Sequence, residues 1–253
     1  MTAYEPLVHI ITNSVTINDT VNFILASGAA AICADSPCEA AEISSISDAL
    51  LINIGMPSES KLKAMLAAGK SANKMGIPVV LDPVGAGASG FRKDILSRLL
   101  REIKFTCIRG NKSEIASLCE MDFVSKGVEG VEVELCDSAI HEFAAKTGSI
   151  VVLTGDIDII ADDKDKFEVA GGDRLIRKVT GSGCMYSAFI AARLAMEKSG
   201  SAIKTVRKAA SDYKRNAIRA KHLMEERGLA GTASFRQCLI DAMSMEMPGE
   251  YFE

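Results

Sequence analysis

The sequence predicts an α/β three-layer sandwich, a mostly parallel sheet with helices on both faces. Two observations carry that expectation. Short, continuously apolar runs alternate with longer amphipathic stretches, the pattern of buried parallel strands joined by crossover helices. The chain is 253 residues long and 48% hydrophobic, enough to bury a deep core.

The strands come first. "LVHII" (7–11), "AAAIC" (29–33), "ALLINI" (49–54), "IPVVLD" (77–82), "FTCIR" (105–109) and "SIVVLT" (149–154) read as buried strands. Between them, 15–27, 37–47, 58–75, 91–103, 111–120 and 137–147 read as helices. In "SPCEAAEI" Ser36 is an N-cap candidate, with Pro37 at the first helical position and Glu39 three residues on. "KMGIPVV" reads as helix stop, turn and strand start. After Thr154 the pattern changes. "DIIAD", "KFEVAG" and "RLIRKVT" read as short strands of a small antiparallel extension. Helices are then expected over 182–198, 201–227 and 234–245, with "GLAGTAS" separating the last two. No repeat, low-complexity tract or domain-separating linker interrupts this order, so one domain over 1–253 is expected.

Composition excludes several function classes. Net charge is −4 and tryptophan is absent, a poor basis for binding nucleic acid. The N-terminus "MTAYEPLVHI" lacks the pattern of a signal peptide. No run of about 18 uncharged apolar residues predicts a membrane span. The seven cysteines are odd in number and form no CxxC pair, so free thiols in a reducing cytoplasm are expected.

The segment "VTGSGCM" (179–185) reads as a strand end, a glycine turn and an apolar helix. Gly181 and Gly183 permit close backbone approach, and a helix starting near Ser182 aims unpaired N–H groups at the turn. Such a turn can hold a migrating phosphoryl group, or simply join two elements. It is no P-loop, because GxxxxGK[ST] is absent. Cys184 lies on the first helical turn, where the helix terminus is expected to lower its thiol pKa; the plainer alternative is a buried core cysteine.

Other candidates close the expected strands, where open α/β sheets bind ligands. Asp82 in "LDPVGAGASG" is placed to reach a metal, or to cap a helix. Arg109 in "IRGNKSEIA" offers a planar fork to phosphate, while Asn111 and Glu114 have capping-pair spacing. Glu114 could instead order magnesium through water. Thr154 and Gly155 end another strand, as a phosphate contact or a plain turn. In "HIITNSVTIND", Asn13 could bind a substrate hydroxyl or, like Thr12, cap a helix. His9 reads as a core histidine, and His141 and His222 as surface residues. The basic stretch 193–227, including Lys214, reads as a solvated helix face.

"ITNSVTIND", "LLINIG", "AGKSANKMGIPVVLDPVGAGAS", "IRGNKSEIA", "LTGDIDIIAD" and "KVTGSGCM", in this order, closely resemble the hydroxyethylthiazole kinases. The resemblance runs from about Leu7 to the end and is weaker between 120 and 147 and in the last 50 residues. It implies a ribokinase-like fold, ATP as phosphoryl donor, Mg²⁺, and the primary alcohol of 4-methyl-5-(2-hydroxyethyl)thiazole as acceptor in thiamine salvage. By matching motif it implies Cys184 in place of the superfamily's general-base aspartate. Gly181, Ser182 and Gly183 would form the anion hole, with Gly181 also touching substrate. Asn13 would sit by the thiazole, Arg109 and Thr154 by ATP, and Asp82 and Glu114 by magnesium. Homotrimers with active sites between subunits are implied as well. Two positions depart from the family pattern. Cys33 stands where relatives usually carry a substrate-contacting methionine, and "GTASF" (231–235) replaces their "GPGSF". The alternatives are a kinase of another small alcohol such as hydroxymethylpyrimidine, a ribokinase-like hydro-lyase, and a non-catalytic nucleotide- or thiazole-binding sensor.

Overall fold

The computed structural model describes residues 4–123, 137–197 and 200–245. Eight strands form one sheet: β1 (Leu7–Ile11), β2 (Ala30–Cys33), β3 (Ala49–Asn53), β4 (Val79–Asp82), β5 (Cys107–Asn111), β6 (Ile150–Thr154), β7 (Ile157–Ala161) and β8 (Lys166–Ala170). Their order is β2-β1-β3-β4-β5-β6-β7-β8. The pairings from β2 through β6 are parallel, and β7 and β8 add an antiparallel ribbon. This is the expected mostly parallel α/β sandwich.

Side chains alternate across the sheet, as strand geometry requires. Val8, Ile10, Ala49, Leu51, Val80, Cys107 and Val152 belong to one core, shared with α1 (Ile17–Ala26), α7 (Ser182–Met196), α8 (Ala202–Glu226) and α9 (Thr232–Ser244). Leu50, Ile52, Val79, Leu81, Ile108 and Val151 belong to the other, under α2 (Ala40–Ser45), α3 (Glu59–Met75), α4 (Gly90–Glu102), α5 (Lys112–Phe123) and α6 (Asp137–Thr147). Both faces are covered, which explains why the parallel strands read as unbroken apolar runs. Helix α7 is buried nearly all round, from Cys184 to Ala195, because it packs on the middle of the sheet beneath α8.

Local signals fix several boundaries. Ser58 and Ser89 accept from the N–H groups of Lys61 and Arg92 and start α3 and α4. Gly76, at φ 70°, ends α3. At Ser36 the expected helix start is instead a turn: its hydroxyl accepts from Cys38 N–H, its carbonyl from Glu39 and Ala40, and α2 begins at Ala40. The expected strand "RLIRKVT" is a 3-10 helix, Arg174–Lys178. The Asp173 carboxylate accepts from Leu175 N–H at 2.8 Å, so a side-chain cap replaces the ladder partners a strand would need.

His9 is a satisfied core residue, its ring nitrogens 2.7 Å from the Ser44 hydroxyl and 2.8 Å from the Ala34 carbonyl. His141 is half-buried rather than a free surface residue, its Nδ1 2.8 Å from the Asp162 carbonyl. Among the described residues every cysteine is free; Cys33 and Cys38 are exposed and the others buried. Cys136 lies outside them. No described helix is long and apolar enough to cross a membrane.

Candidate active site

Strand periodicity builds the site. Asn53, Asp82, Arg109 and Thr154 each lie two residues beyond Leu51, Val80, Cys107 and Val152, on the row that faces α7. The register sets Asn53 opposite Asp82 and Asn111 opposite Thr154. The sheet therefore presents a line of polar groups at its carboxyl edge, under the start of α7.

That start needs two glycines. Gly181, the N-cap, has φ 86°, and a Cβ there would lie 2.8 Å from Thr16 Cγ2. A Cβ on Gly183 would lie 2.6 Å from Arg109 Nη1. The guanidinium is thus laid directly on the glycine turn. Ser182 is used locally: its hydroxyl donates to the Ile176 carbonyl at 2.9 Å and its N–H to Val179 at 3.3 Å. The amides of Gly181, Gly183 and Cys184 carry no backbone partner among the described residues, so of the expected Gly181–Gly183 set only the Ser182 N–H is already used.

On one side of the turn lies the thiol. Cys184 Sγ is 3.2 Å from Asn53 Nδ2 and 3.6 Å from Asn13 Nδ2. Asn53 Nδ2 also donates to Asp82 Oδ2 at 2.9 Å, and the Ser187 hydroxyl donates to the same oxygen at 2.9 Å. Asp82 Oδ1 is buried with no partner. Burial pushes Asp82 up to about 6; Arg109 and the bonds from Ser187 and Asn53 oppose that rise, and Glu114 adds to it. Cys184 overturns one expectation. Burial and then the nearby Asp82 charge raise its thiol pKa, against hydrogen bonds with Thr16, Asn53 and Asn13. Desolvation is the largest of these causes.

On the other side lies a cavity of ≈780 Å³, lined by Arg109, Asn111, Thr154, Gly183, Tyr186 and Lys214 among others. Arg109 Nη2 donates to Thr154 Oγ1 at 3.2 Å, and its guanidinium sits 5.2 Å from the Tyr186 ring centre. Its Nε is buried and unpartnered. Burial works against the Arg109 charge, but Asp82 and Glu114 outweigh it and raise its pKa. Tyr186 stacks on Tyr213, centres 4.4 Å apart, and Tyr213 donates to the Ser182 carbonyl at 2.6 Å. Glu114 is the expected capping partner: its Oε2 accepts from Asn111 N–H at 2.8 Å while Asn111 Oδ1 accepts from Glu114 N–H at 3.0 Å. Its other oxygen accepts from Gly85 N–H at 3.0 Å and pins the loop after Asp82.

An arginine on a glycine turn at the carboxyl edge of a parallel sheet is an arrangement able to hold phosphate. The hydroxyethylthiazole kinase family model matches residues 1–247. The chain belongs to this family. The hydroxyethylthiazole kinase of Ruminiclostridium cellulolyticum is 40% identical over 252 residues, covering 95% of this chain and 88% of that one. The solved structure of the hydroxyethylthiazole kinase protein from Pyrococcus horikoshii OT3 superposes with a TM-score of 0.80 at 32% identity, over 95% of this chain and 88% of that one. Arabidopsis thaliana ribokinase shares the fold at a TM-score of 0.52 and 18% identity, over 84% of this chain and 60% of that one.

In this hydroxyethylthiazole kinase family member, Asn13, Asp82, Arg109, Glu114, Thr154 and the 181–184 turn gather at one sheet edge. Cys33 ends the outer strand β2 and is exposed. Several participants went unmarked in the sequence. Asn53 is one; its signal was a single amide closing the apolar strand "LLINIG". Lys214, read as solvated, is buried. Its ammonium lies 3.1 Å from Asp158 Oδ1 and donates to the Gly155 and Asp156 carbonyls at 3.1 and 2.9 Å. Asp158 also accepts from Tyr186 Oη and Gly155 N–H. Lys214 therefore fixes the cavity wall, its donors already directed to protein oxygens.

Proposed function

We propose that this chain transfers the γ-phosphoryl group of ATP to the primary alcohol of 4-methyl-5-(2-hydroxyethyl)thiazole, the step that returns the thiazole to thiamine synthesis. One observation carries the reading: a single helix start places unpaired amides, the Arg109 fork and the Cys184 sulfur side by side. Phosphates enter the cavity beside Arg109 and Thr154, and the alcohol approaches from the Cys184 side. The oxygen–phosphorus bond forms as the bond to ADP breaks, and the alcohol proton passes to the thiolate form of Cys184, leaving the neutral thiol. The transition state is loose, so charge stabilisation and alignment outweigh base strength, which is why a buried thiol suffices.

Magnesium fits the residues present. Asp82 Oδ1 is a buried, unpartnered carboxylate oxygen and Glu114 is close enough to act on Asp82, a sparse set suited to an ion that keeps water and phosphate ligands. Bound there, Mg²⁺ would neutralise phosphate charge. Family resemblance also supports a cytoplasmic homotrimer. The exposed Cys33, Val15 and Met56 would then be covered by a neighbouring copy.

The test is ADP formation from Mg-ATP across a panel of alcohols. Stimulation by the hydroxyethylthiazole, and not by hydroxymethylpyrimidine, is expected; no stimulation by any alcohol would mean a non-catalytic binding module. Replacing Cys184→Asp should retain or raise turnover, and Cys184→Ala should lower it roughly 10²-fold, the usual scale of general-base loss, without unfolding. Sedimentation measures the trimer.

A further inference from the structure

The sulfur is held by two amides whose orientations are fixed by groups that can only donate. Asn53 Oδ1 accepts from Gly55 N–H at 2.9 Å. A backbone N–H has no acceptor role, so oxygen must face Gly55 and Nδ2 must face Asp82 and Cys184. Asn13 is locked the same way: its Oδ1 accepts from the N–H groups of Val15 and Thr16, both at 3.1 Å, and is 3.1 Å from Thr16 Oγ1. Its Nδ2 then turns to Asn53 Oδ1 at 3.2 Å and to the sulfur at 3.6 Å. Both side chains are buried, Asn13 5% and Asn53 1% exposed, so water does not compete. A Cβ on Gly55 would lie 2.7 Å from Asn13 Nδ2 and 2.9 Å from Asn53 Oδ1; the missing side chain makes room for the pair.

We propose that Asn53, assisted by Asn13, is a positioning residue for the phosphoryl-transfer reaction, its amide holding the Cys184 sulfur as a hydrogen-bond acceptor aimed at the substrate alcohol. The inference rests on the reading of Cys184 as the group that receives the alcohol proton. Two inward N–H donors stabilise the thiolate that takes the alcohol proton and leave its remaining lone pair free to face the alcohol. The side chain of Asn13 has its amide nitrogen directed to Asn53 Oδ1 and to the sulfur, so it helps shape the sulfur's surroundings. The same Asn53 amide nitrogen also bonds Asp82, which ties the thiol and the candidate metal carboxylate to one planar group.

The experiment is a double-mutant cycle on the full-length kinase with Asn53→Ala, Cys184→Ala and the pair, read as kcat and thiazole KM, with thermal midpoints to confirm folding. Loss through Asp82 is common to both backgrounds and cancels. Asn53→Ala alone should lower kcat on the order of 10–100-fold, the scale of a misaligned reacting group, with KM changed by less than about 3-fold. In the Cys184→Ala background the same change should lower kcat by less than about 5-fold, because interacting residues are non-additive. Equal losses in both backgrounds would overturn the role of Asn53 while leaving Cys184 in the mechanism. Wild-type kcat in Cys184→Ala would instead remove the thiol itself. Gly55→Ala, which displaces the amides without touching sulfur, should follow Asn53→Ala; wild-type kcat there would also count against the proposal.

Discussion

The two sides of the α7 start are built on opposite rules. On the thiol side, neutral amides saturate one another: the Asn13 and Asn53 side chains find partners in each other, in backbone N–H groups and in the sulfur. On the cavity side, charge is left available: among the described residues Arg109 keeps a buried Nε unpartnered and the Gly183 and Cys184 amides have no backbone partner. The first arrangement is complete before substrate arrives and sets geometry. The second is incomplete and gains its partners from an anion. Asp82 stands between them, one oxygen accepting from the Asn53 amide and the Ser187 hydroxyl and the other unpartnered among the described residues.

The comparison can be broken first at Arg109. If the cavity side acts by charge, Arg109→Ala should cost kcat/KM on the order of 10³-fold, about 4 kcal/mol, and Arg109→Lys should recover only part, because a point charge cannot reproduce the fork. Steady-state kinetics with varied ATP measures both. Lys214→Met comes next. It leaves Asp158 buried without its cation, and about 3–5 kcal/mol of stability should be lost, seen in urea unfolding.

Asp82 sharpens the comparison with a gain. Its folded pKa is raised from 3.8 to about 6, so between those values the folded, metal-free protein holds more protons than the unfolded chain. Stability must fall as pH rises through that window, with the full penalty present above about pH 6. The shift corresponds to about 3 kcal/mol. Asp82→Asn should therefore raise the thermal midpoint of metal-free protein at pH 7, converge with wild type near pH 4, and abolish activity. Magnesium should raise the midpoint of wild type and not of the variant. The smallest effect is expected at Cys33→Met. That side chain is exposed in the single chain, so less than about 1 kcal/mol of stability should change, while thiazole KM shifts if a neighbouring copy closes over it.

Much of this was legible in the sequence because parallel strands buried on both faces leave unmistakable apolar runs. The residues ending those runs, Asp82, Arg109 and Thr154, marked the site edge. Where local chemistry competed with pattern, the reading failed. Asp173 caps "RLIRK" into a 3-10 turn, although the segment had been expected to extend as a strand. Lys214 sits among surface-like charges in the chain yet is buried, because its partner Asp158 comes from another element. Asn53 gave only one polar letter at a strand end.

The amino-acid order alone determined the strands, the helices between them and the polar residues that close the strands, since period-two burial and capping act over a few residues. The tertiary structure alone decided which way the Cys184 thiol shifts and which atom of Asn53 faces it. Those depend on dehydration and on the Asn53–Asp82 register, which sum contributions through space from segments far apart in the chain, while the neighbouring Gly55 N–H holds the Asn53 oxygen away from the sulfur.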